Sequence, residues 1–442
     1  MLGAFLFCGI ISGITYLGIK IIRSSVIKFI FSTFTFGIFS MIVIPAVWHA
    51  VSSYEKIGFL GFDSTEIHFS QSIILIYFAS TYLYFFTTLG FCIISHFLLP
   101  QIGNLEISED IQKFPFLPTM VVFYGICIFF FLLFYDNFNS VLQLRGRESF
   151  DLPIYFELLR GALIGACTYA TMKITTTRFT RDTFGFVTTL GLFIFSLILI
   201  AGFGSRNLIV FPAFAIFLSL KLKHDQALLR RNYVLGGAVL LLFFALTLAQ
   251  SNFRDQGFDQ MDITQFHFSS LFLAFDQFDS MYLAFQTYDS FDRPQNRWPF
   301  AILSDIFTYY FPREWFKSLG ITKLSHINYL EWNAYITGDI KSNVTPSLVG
   351  QALIENKILG ILFLPFNLTI ILFFLLKILE KKISKGGNNV IILTYIVLIS
   401  GGIFNIVRMF SGAYLIYFFV FFIIVYLIEI IVKIKRVRKE IA

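Results

Sequence analysis

The stretch LILIAGFGSRNLIVFPAFAIFL, residues 197–218, decides the fold class. Long apolar runs flank Ser205, Arg206 and Asn207 on both sides, so a guanidinium lies between two segments suited to hydrocarbon. An arginine at the centre of a bilayer costs about 3 kcal/mol or more, depending on the scale. Gly202 and Gly204 permit sharp backbone turns. We therefore predict a tight hairpin between two membrane spans, with Arg206 at its apex.

The composition of the whole chain supports a membrane protein. Apolar residues make up 57% of the 442, charged residues only 14%, and the mean hydropathy is +0.75. A soluble globular chain would carry about a quarter charged residues. Repeated apolar runs of roughly 20 residues are typical of membrane-spanning helices. We predict an all-α polytopic membrane protein whose partner is the lipid bilayer and which binds no nucleic acid.

The hydropathy pattern predicts eleven transmembrane helices. A long extracytoplasmic cap loop, 251–350, separates the first eight spans, within 1–250, from the last three, within 351–442. Its length and its Phe, Tyr and Trp content favour an ordered, functional segment. The predicted spans are 2–19, 29–48, 73–97, 118–135, 153–172, 184–203, 207–220, 233–250, 354–376, 389–407 and 412–432.

Lysine and arginine collect on alternate connections, which sets the orientation of the spans. The tail KIKRVRKE after the last span carries five basic residues and is predicted to be cytoplasmic. Counting backwards, four of the five other connections on that side are also basic: 377–385, 221–232, 173–182 and 20–28. The eleven-span count is consistent with this alternation and places the N-terminus outside.

Several arginines are predicted on the outer side, where the positive-inside rule would deplete them. They are Arg160, Arg206, Arg254, Arg293, Arg297, Arg313 and Arg408. The planar guanidinium fork suits phosphate and pyrophosphate oxygens, so the head group of a phosphorylated lipid is the predicted ligand. The alternative for each arginine is that it reaches lipid phosphates or pairs with a nearby carboxylate.

Two further elements lie in and after the long loop. The segment YYFPREWFKSLG, 309–320, places Arg313 and Lys317 four residues apart, with Trp315 as an interfacial anchor. The segment NVTPSLVGQALIENKILGILFLPF, 343–366, leads into an apolar span. Here Thr345 is predicted to cap a helix whose first residue is Pro346.

In this order, the GSR hairpin, the long outer loop, PREWFKS and TPSLVGQ resemble the O-antigen polymerases of bacterial surface polysaccharide assembly. These enzymes join oligosaccharide repeat units. The resemblance covers roughly residues 150–410. Two departures stand out: Lys317 follows Trp315 by only two positions, and Gln351 stands where such proteins often have Glu.

The resemblance implies metal-independent glycosyl transfer at the periplasmic face of the bacterial inner membrane, with no cofactor. The donor is a glycan on undecaprenyl pyrophosphate, and the acceptor is one lipid-linked repeat unit. A chain-length regulator and a flippase are expected partners. Arg206 and Arg408 would stabilise the departing pyrophosphate. The expected substrate contacts are Arg160, Arg254, Arg313, Lys317 and Trp315.

The reaction also needs a general base for a sugar hydroxyl. His326, Glu331 and Asp305 in the long loop are the candidates. Glu331 is slightly preferred because the aromatic residues of NYLEWNAY could stack on sugar faces, although pairing with a loop Arg or Lys explains it equally well. The sequence has no HExxH motif and no cysteine cluster for a metal.

Three other functions stay open. An O-antigen ligase, which transfers the finished glycan to lipid A-core, would share the spans, the loop and the arginines. A flippase for lipid-linked oligosaccharide belongs to a different class, the transporters, which tend to show internal repeats and broken helices. No such repeat is visible, and a transporter does not need so long a loop. A non-catalytic receptor or scaffold would leave the outer arginines unexplained.

Overall fold

The computed structural model describes residues 2–51, 69–98, 116–133, 154–177, 183–202, 206–222, 226–256, 281–285, 287, 332, 347–384, 389–408 and 413–441. Every regular element in these ranges is helical, and none of them contains a strand. Six helices there are long and apolar enough to cross a membrane. The architecture is that of an all-α membrane protein, as the composition predicts.

We number the α-helices of the described ranges in chain order. They are α1 (Leu2–Ile21), α2 (Ser25–Ile38), α3 (Ile44–Val51), α4 (Phe69–Ile93), α5 (Phe116–Leu133), α6 (Ile154–Thr176), α7 (Thr183–Gly202), α8 (Val210–Leu220), α9 (Gln226–Gln256), α10 (Ser347–Ser384), α11 (Asn389–Arg408) and α12 (Ala413–Ile441). The π-helical turn Phe39–Val43 joins α2 directly to α3. The 3₁₀ turn Arg206–Ile209 leads into α8.

Helices occupy the positions of all eleven predicted spans, with α2 and α3 together forming the second. Three of the remaining helices contain shorter apolar stretches, Phe116–Phe129, Val210–Leu220 and Leu415–Ile431. The number of spans therefore stays a prediction. Helix α9 runs to Gln256, so Arg254 lies in its last turn and not after it. The proposed cap at Thr345 and Pro346 lies outside the described residues.

The chain divides into two compact units. The first contains α1–α4, α10 up to Lys381, and the last turn of α11 from Ile403. Tyr84 is fully buried inside it. The Tyr84 hydroxyl oxygen lies 2.7 Å from Thr15 Oγ1 and 2.8 Å from Thr35 Oγ1, which joins α1, α2 and α4. At one end of this unit, His96 Nε2 lies 2.8 Å from the carbonyl oxygen of Ile21.

The second unit contains α5–α9, α11 up to Gly402, and α12. Helix α9 starts against the C-terminus of α6, where backbone carbonyls lack partners within the helix. Arg231 donates from Nη2 to the carbonyl oxygens of Ile174 and Thr177, the latter at 3.0 Å. Asn232 donates from Nδ2 to Thr175 O at 3.1 Å. These bonds join the start of α9 to the end of α6.

Helix α10 is not one continuous rod. Asn356 (φ −139°, ψ 20°) and Lys357 (φ 52°, ψ −142°) are non-helical and divide it into segments 347–355 and 358–384. A Cβ added to Gly360 would overlap the carbonyl oxygen of Ala352. Residues eight positions apart in an unbroken helix are about 12 Å apart. The two segments therefore fold back against each other, and the helix at the predicted ninth span, 354–376, is continuous only from residue 358.

Candidate functional site

The short segment 347–355 carries a row of polar side chains at four-residue spacing. Ser347, Gln351 and Glu355 share one helix face and are each at most 1% exposed. Both carboxylate oxygens of Glu355 are shielded from solvent. A buried carboxylate is costly unless charges or hydrogen bonds compensate it, and ionisable groups within membrane bundles are commonly functional. Glu355 is not among the site residues predicted from the sequence, although an acidic residue at the start of an apolar span is a usable signal.

The break itself adds a second buried amide. Asn356 is 5% exposed, and its Oδ1 has no hydrogen-bond partner among the residues that the structure describes. Lys357 has a positive φ of 52° with ψ −142°, a region used mostly by glycine, which costs other residues about 1–3 kcal/mol. The last carbonyls of one segment and the first N–H groups of the next lack partners within their own helix. Such breaks supply polar groups that can hold a ligand at membrane depth.

Contacts with α4 set the depth of the break. Tyr82 donates from its hydroxyl to the carbonyl oxygen of Leu362 at 3.0 Å. Gly90 lies against the side chain of Thr369, so α4 and segment 358–384 run in parallel. Lys357 is five residues before Leu362, which places the break level with roughly residue 77, about 12 Å inside the N-terminal end of α4. The break lies within the helical layer of the first unit.

One hydrogen bond joins the short segment to the long loop. Ser347 donates from Oγ to the sulfur of Met281 at 3.0 Å, and both residues are fully buried. A second bond joins two described parts of the loop: Trp332, also fully buried, donates from Nε1 to Thr287 Oγ1 at 2.9 Å. Thr287 in turn donates to Leu283 O at 2.7 Å. The order of the loop as a whole stays a prediction.

Arg408 ends α11 in the same unit. It is half-buried, and its Nε is shielded from solvent with no hydrogen-bond partner in the described part of the chain. The turn that precedes Arg408 contains one polar residue, the buried Asn405, and Ile403 and Ile406 line a small apolar crevice together with Leu368 and Leu372. Its position at a helix C-terminus also suits a cation. The guanidinium has donor capacity available for an anionic ligand.

Three of the predicted arginines belong to the second unit. Arg160 lies near the start of α6, Arg206 begins the 3₁₀ turn before α8, and Arg254 lies in the last turn of α9. The Arg160 side chain is half-buried.

The remaining predicted site residues lie outside the described ranges: Arg293, Arg297, Asp305, Arg313, Trp315, Lys317, His326 and Glu331. Their roles stay predictions. Among the described residues, no group of three or more His, Cys, Asp or Glu side chains could hold a metal ion. Comparisons of this chain with protein-family models, curated proteins and solved structures found no match.

Proposed function

We propose that this chain is a membrane glycosyltransferase that polymerises undecaprenyl-pyrophosphate-linked repeat units into O-antigen or a related polysaccharide. The reaction would take place at the periplasmic face of the bacterial inner membrane, without a metal or other cofactor. A flippase would deliver the repeat units, and a separate regulator would set the chain length. An all-α membrane architecture is a requirement of this function, and the helices meet it.

The observation that carries the proposal is Arg408. It ends an apolar helix with a shielded Nε that has no hydrogen-bond partner among the described residues. Arginine binds pyrophosphate through two or more parallel N–H donors, and such bonds strengthen as charge develops on the leaving oxygens. Arg160, Arg206 and Arg254 belong to the second unit and are separate candidates for contacts with an anionic ligand.

The reaction breaks the bond between the anomeric carbon of the donor glycan and its pyrophosphate oxygen. A hydroxyl oxygen of the acceptor sugar forms the new bond to that carbon, and its proton passes to a base. The lipid pyrophosphate leaves with the electron pair of the broken bond. Arginine stabilises that leaving group, and a carboxylate or imidazole accepts the proton.

The break in α10 favours a second candidate, a flippase for the same lipid-linked oligosaccharide. Transporters commonly build their substrate sites from discontinuous helices near the middle of the membrane. A buried break with Glu355 and Asn356 is such a feature. The arginines would then hold the pyrophosphate during translocation and no bond would break. An O-antigen ligase would use the same residues with lipid A-core as acceptor.

The test is a lipopolysaccharide gel on a strain in which this gene is deleted, with and without complementation by the gene. Core bearing one repeat unit and no ladder above it supports the polymerase. Bare core, with long glycan accumulating on the lipid carrier, would identify the ligase. Bare core with only single units trapped inside would identify the flippase. An unchanged ladder would remove the O-antigen assignment.

A further inference from the structure

We infer that the break in α10 binds the acceptor sugar and that Glu355 is the general base that deprotonates its attacking hydroxyl. The inference rests on the proposed function and deepens it, because the sequence left the base open among three loop residues. Glu355 is the last residue of segment 347–355, and the non-helical backbone begins at the next residue.

The position of Glu355 is suited to proton transfer inside the bundle. It is 1% exposed in a segment whose residues 347–356 are all buried. Ionisable side chains inside a membrane bundle are commonly functional. A base enclosed away from bulk water can accept a proton from the acceptor while hydrolysis of the donor is limited.

The neighbours of Glu355 have the chemistry to recognise a neutral sugar. Gln351 lies one turn earlier on the same face and is fully buried. Asn356 Oδ1 is buried with no hydrogen-bond partner among the described residues. Side-chain amides and a carboxylate pair well with sugar hydroxyls, which both donate and accept. The ligand class is therefore a hydroxyl-rich, uncharged ring, while the pyrophosphate is held by arginine.

The proton balance of the step is complete. The acceptor hydroxyl loses its proton to a Glu355 carboxylate oxygen as its own oxygen attacks the anomeric carbon. The bond from that carbon to the pyrophosphate oxygen breaks, and the pyrophosphate leaves as an anion. Glu355 then releases the proton to the departing pyrophosphate or to water and returns to its ionised form.

The experiment uses the full chain in nanodiscs with a synthetic undecaprenyl-pyrophosphate repeat unit as both donor and acceptor. Glu355→Gln keeps the shape of the side chain and removes the base, so the rate should fall at least 100-fold while the substrate Kd changes less than threefold. Glu355→Asp should lose about tenfold because the carboxylate is displaced. Glu380→Gln, at the far end of the same helix in an ion pair with the exposed Lys377, should stay within twofold.

The pH profile separates catalysis from structure. The wild-type rate should fall at low pH as the base becomes protonated. The residual rate of Glu355→Gln should not show this decrease at low pH. A Glu355→Gln rate within twofold of wild type, or a Glu355→Asp rate and profile equal to wild type, overturns the inference and leaves the polymerase standing. If Glu355→Gln does not accumulate, the Asp variant decides. Wild-type protein that never elongates the repeat unit removes the proposed function itself.

Discussion

Gly360 lies against the backbone carbonyl oxygen of Ala352, eight residues earlier in the same helix. The contact exists because α10 breaks at Asn356 and Lys357 and its two segments fold back on each other. A Cβ at Gly360 would overlap the Ala352 carbonyl oxygen, so the two segments of α10 would have to move apart. We predict that Gly360→Ala destabilises the protein by about 2 kcal/mol, measured as a lower melting temperature in detergent.

Gly191 provides the matched control for this substitution. It lies within α7, and nothing comes within 4 Å of an added Cβ there. Gly191→Ala should leave stability unchanged or raise it by up to about 1 kcal/mol, because alanine is the better helix former. Equal melting temperatures for the two variants would contradict the folded-back arrangement of α10.

Arg408 is expected to act through the fork of its guanidinium. Arg408→Lys keeps the positive charge but loses parallel donation, so polymerisation should fall at least tenfold at normal protein level. Polymerisation by the Arg408→Ala variant should fall further than that of Arg408→Lys. The measurement is ladder length and intensity on a lipopolysaccharide gel, normalised to the amount of protein in the membrane. A full ladder with Arg408→Ala would remove this residue from the site.

Tyr84 should contribute to the stability of the first unit through its hydroxyl. Thr15 donates to Ile11 O at 2.8 Å, so it accepts from Tyr84, which in turn accepts from Thr35. Tyr84→Phe interrupts this chain inside the bundle and should cost about 1–2 kcal/mol. The control is Tyr233→Phe, at a residue that is 65% exposed. A melting temperature for Tyr84→Phe that matches the control would show that the three hydroxyls contribute nothing.

Lys382 and Glu429 form an ion pair whose coupling free energy can be measured. Their Nζ–Oε2 distance is 2.7 Å, the lysine side chain is 13% exposed, and its ammonium lies 5.4 Å from the Phe422 ring. A double-mutant cycle should give a coupling of about 1 kcal/mol, with at most about 0.5 kcal/mol for the more exposed pair Lys377–Glu380. Both couplings should weaken in high salt, the second more. A smaller coupling for Lys382–Glu429 than for Lys377–Glu380 would contradict this order.

Hydropathy predicted where the helices lie because each span must bury an apolar run of roughly fixed length. It did not predict where α10 breaks. Proline is the residue expected to disrupt a helix, yet the backbone around Pro365 stays helical while it breaks at Asn356 and Lys357. Neither of these two residue types strongly disrupts a helix. The break brings Gly360 against Ala352, and hydropathy does not predict this contact.

The candidate site was predictable only in part, for a related reason. Arginines between apolar runs are conspicuous in the sequence, which is how Arg206 and Arg408 were found. Glu355 belongs to the same class of signal, but it appeared to sit at a span boundary, where a carboxylate could reach water. Its burial accompanies the break at Asn356 and Lys357, which the hydropathy pattern does not predict.

The indole of Trp332 offers an optical reporter of the long loop. The chain has four tryptophans, and this one is fully buried with its Nε1 bonded to Thr287. A variant that retains only Trp332 should fluoresce at the short-wavelength end of the tryptophan range. If the loop lifts when lipid-linked glycan arrives, water reaches the ring and its emission moves to longer wavelength. The emission wavelength of Trp332 would then report substrate binding in real time, without any label on the sugar.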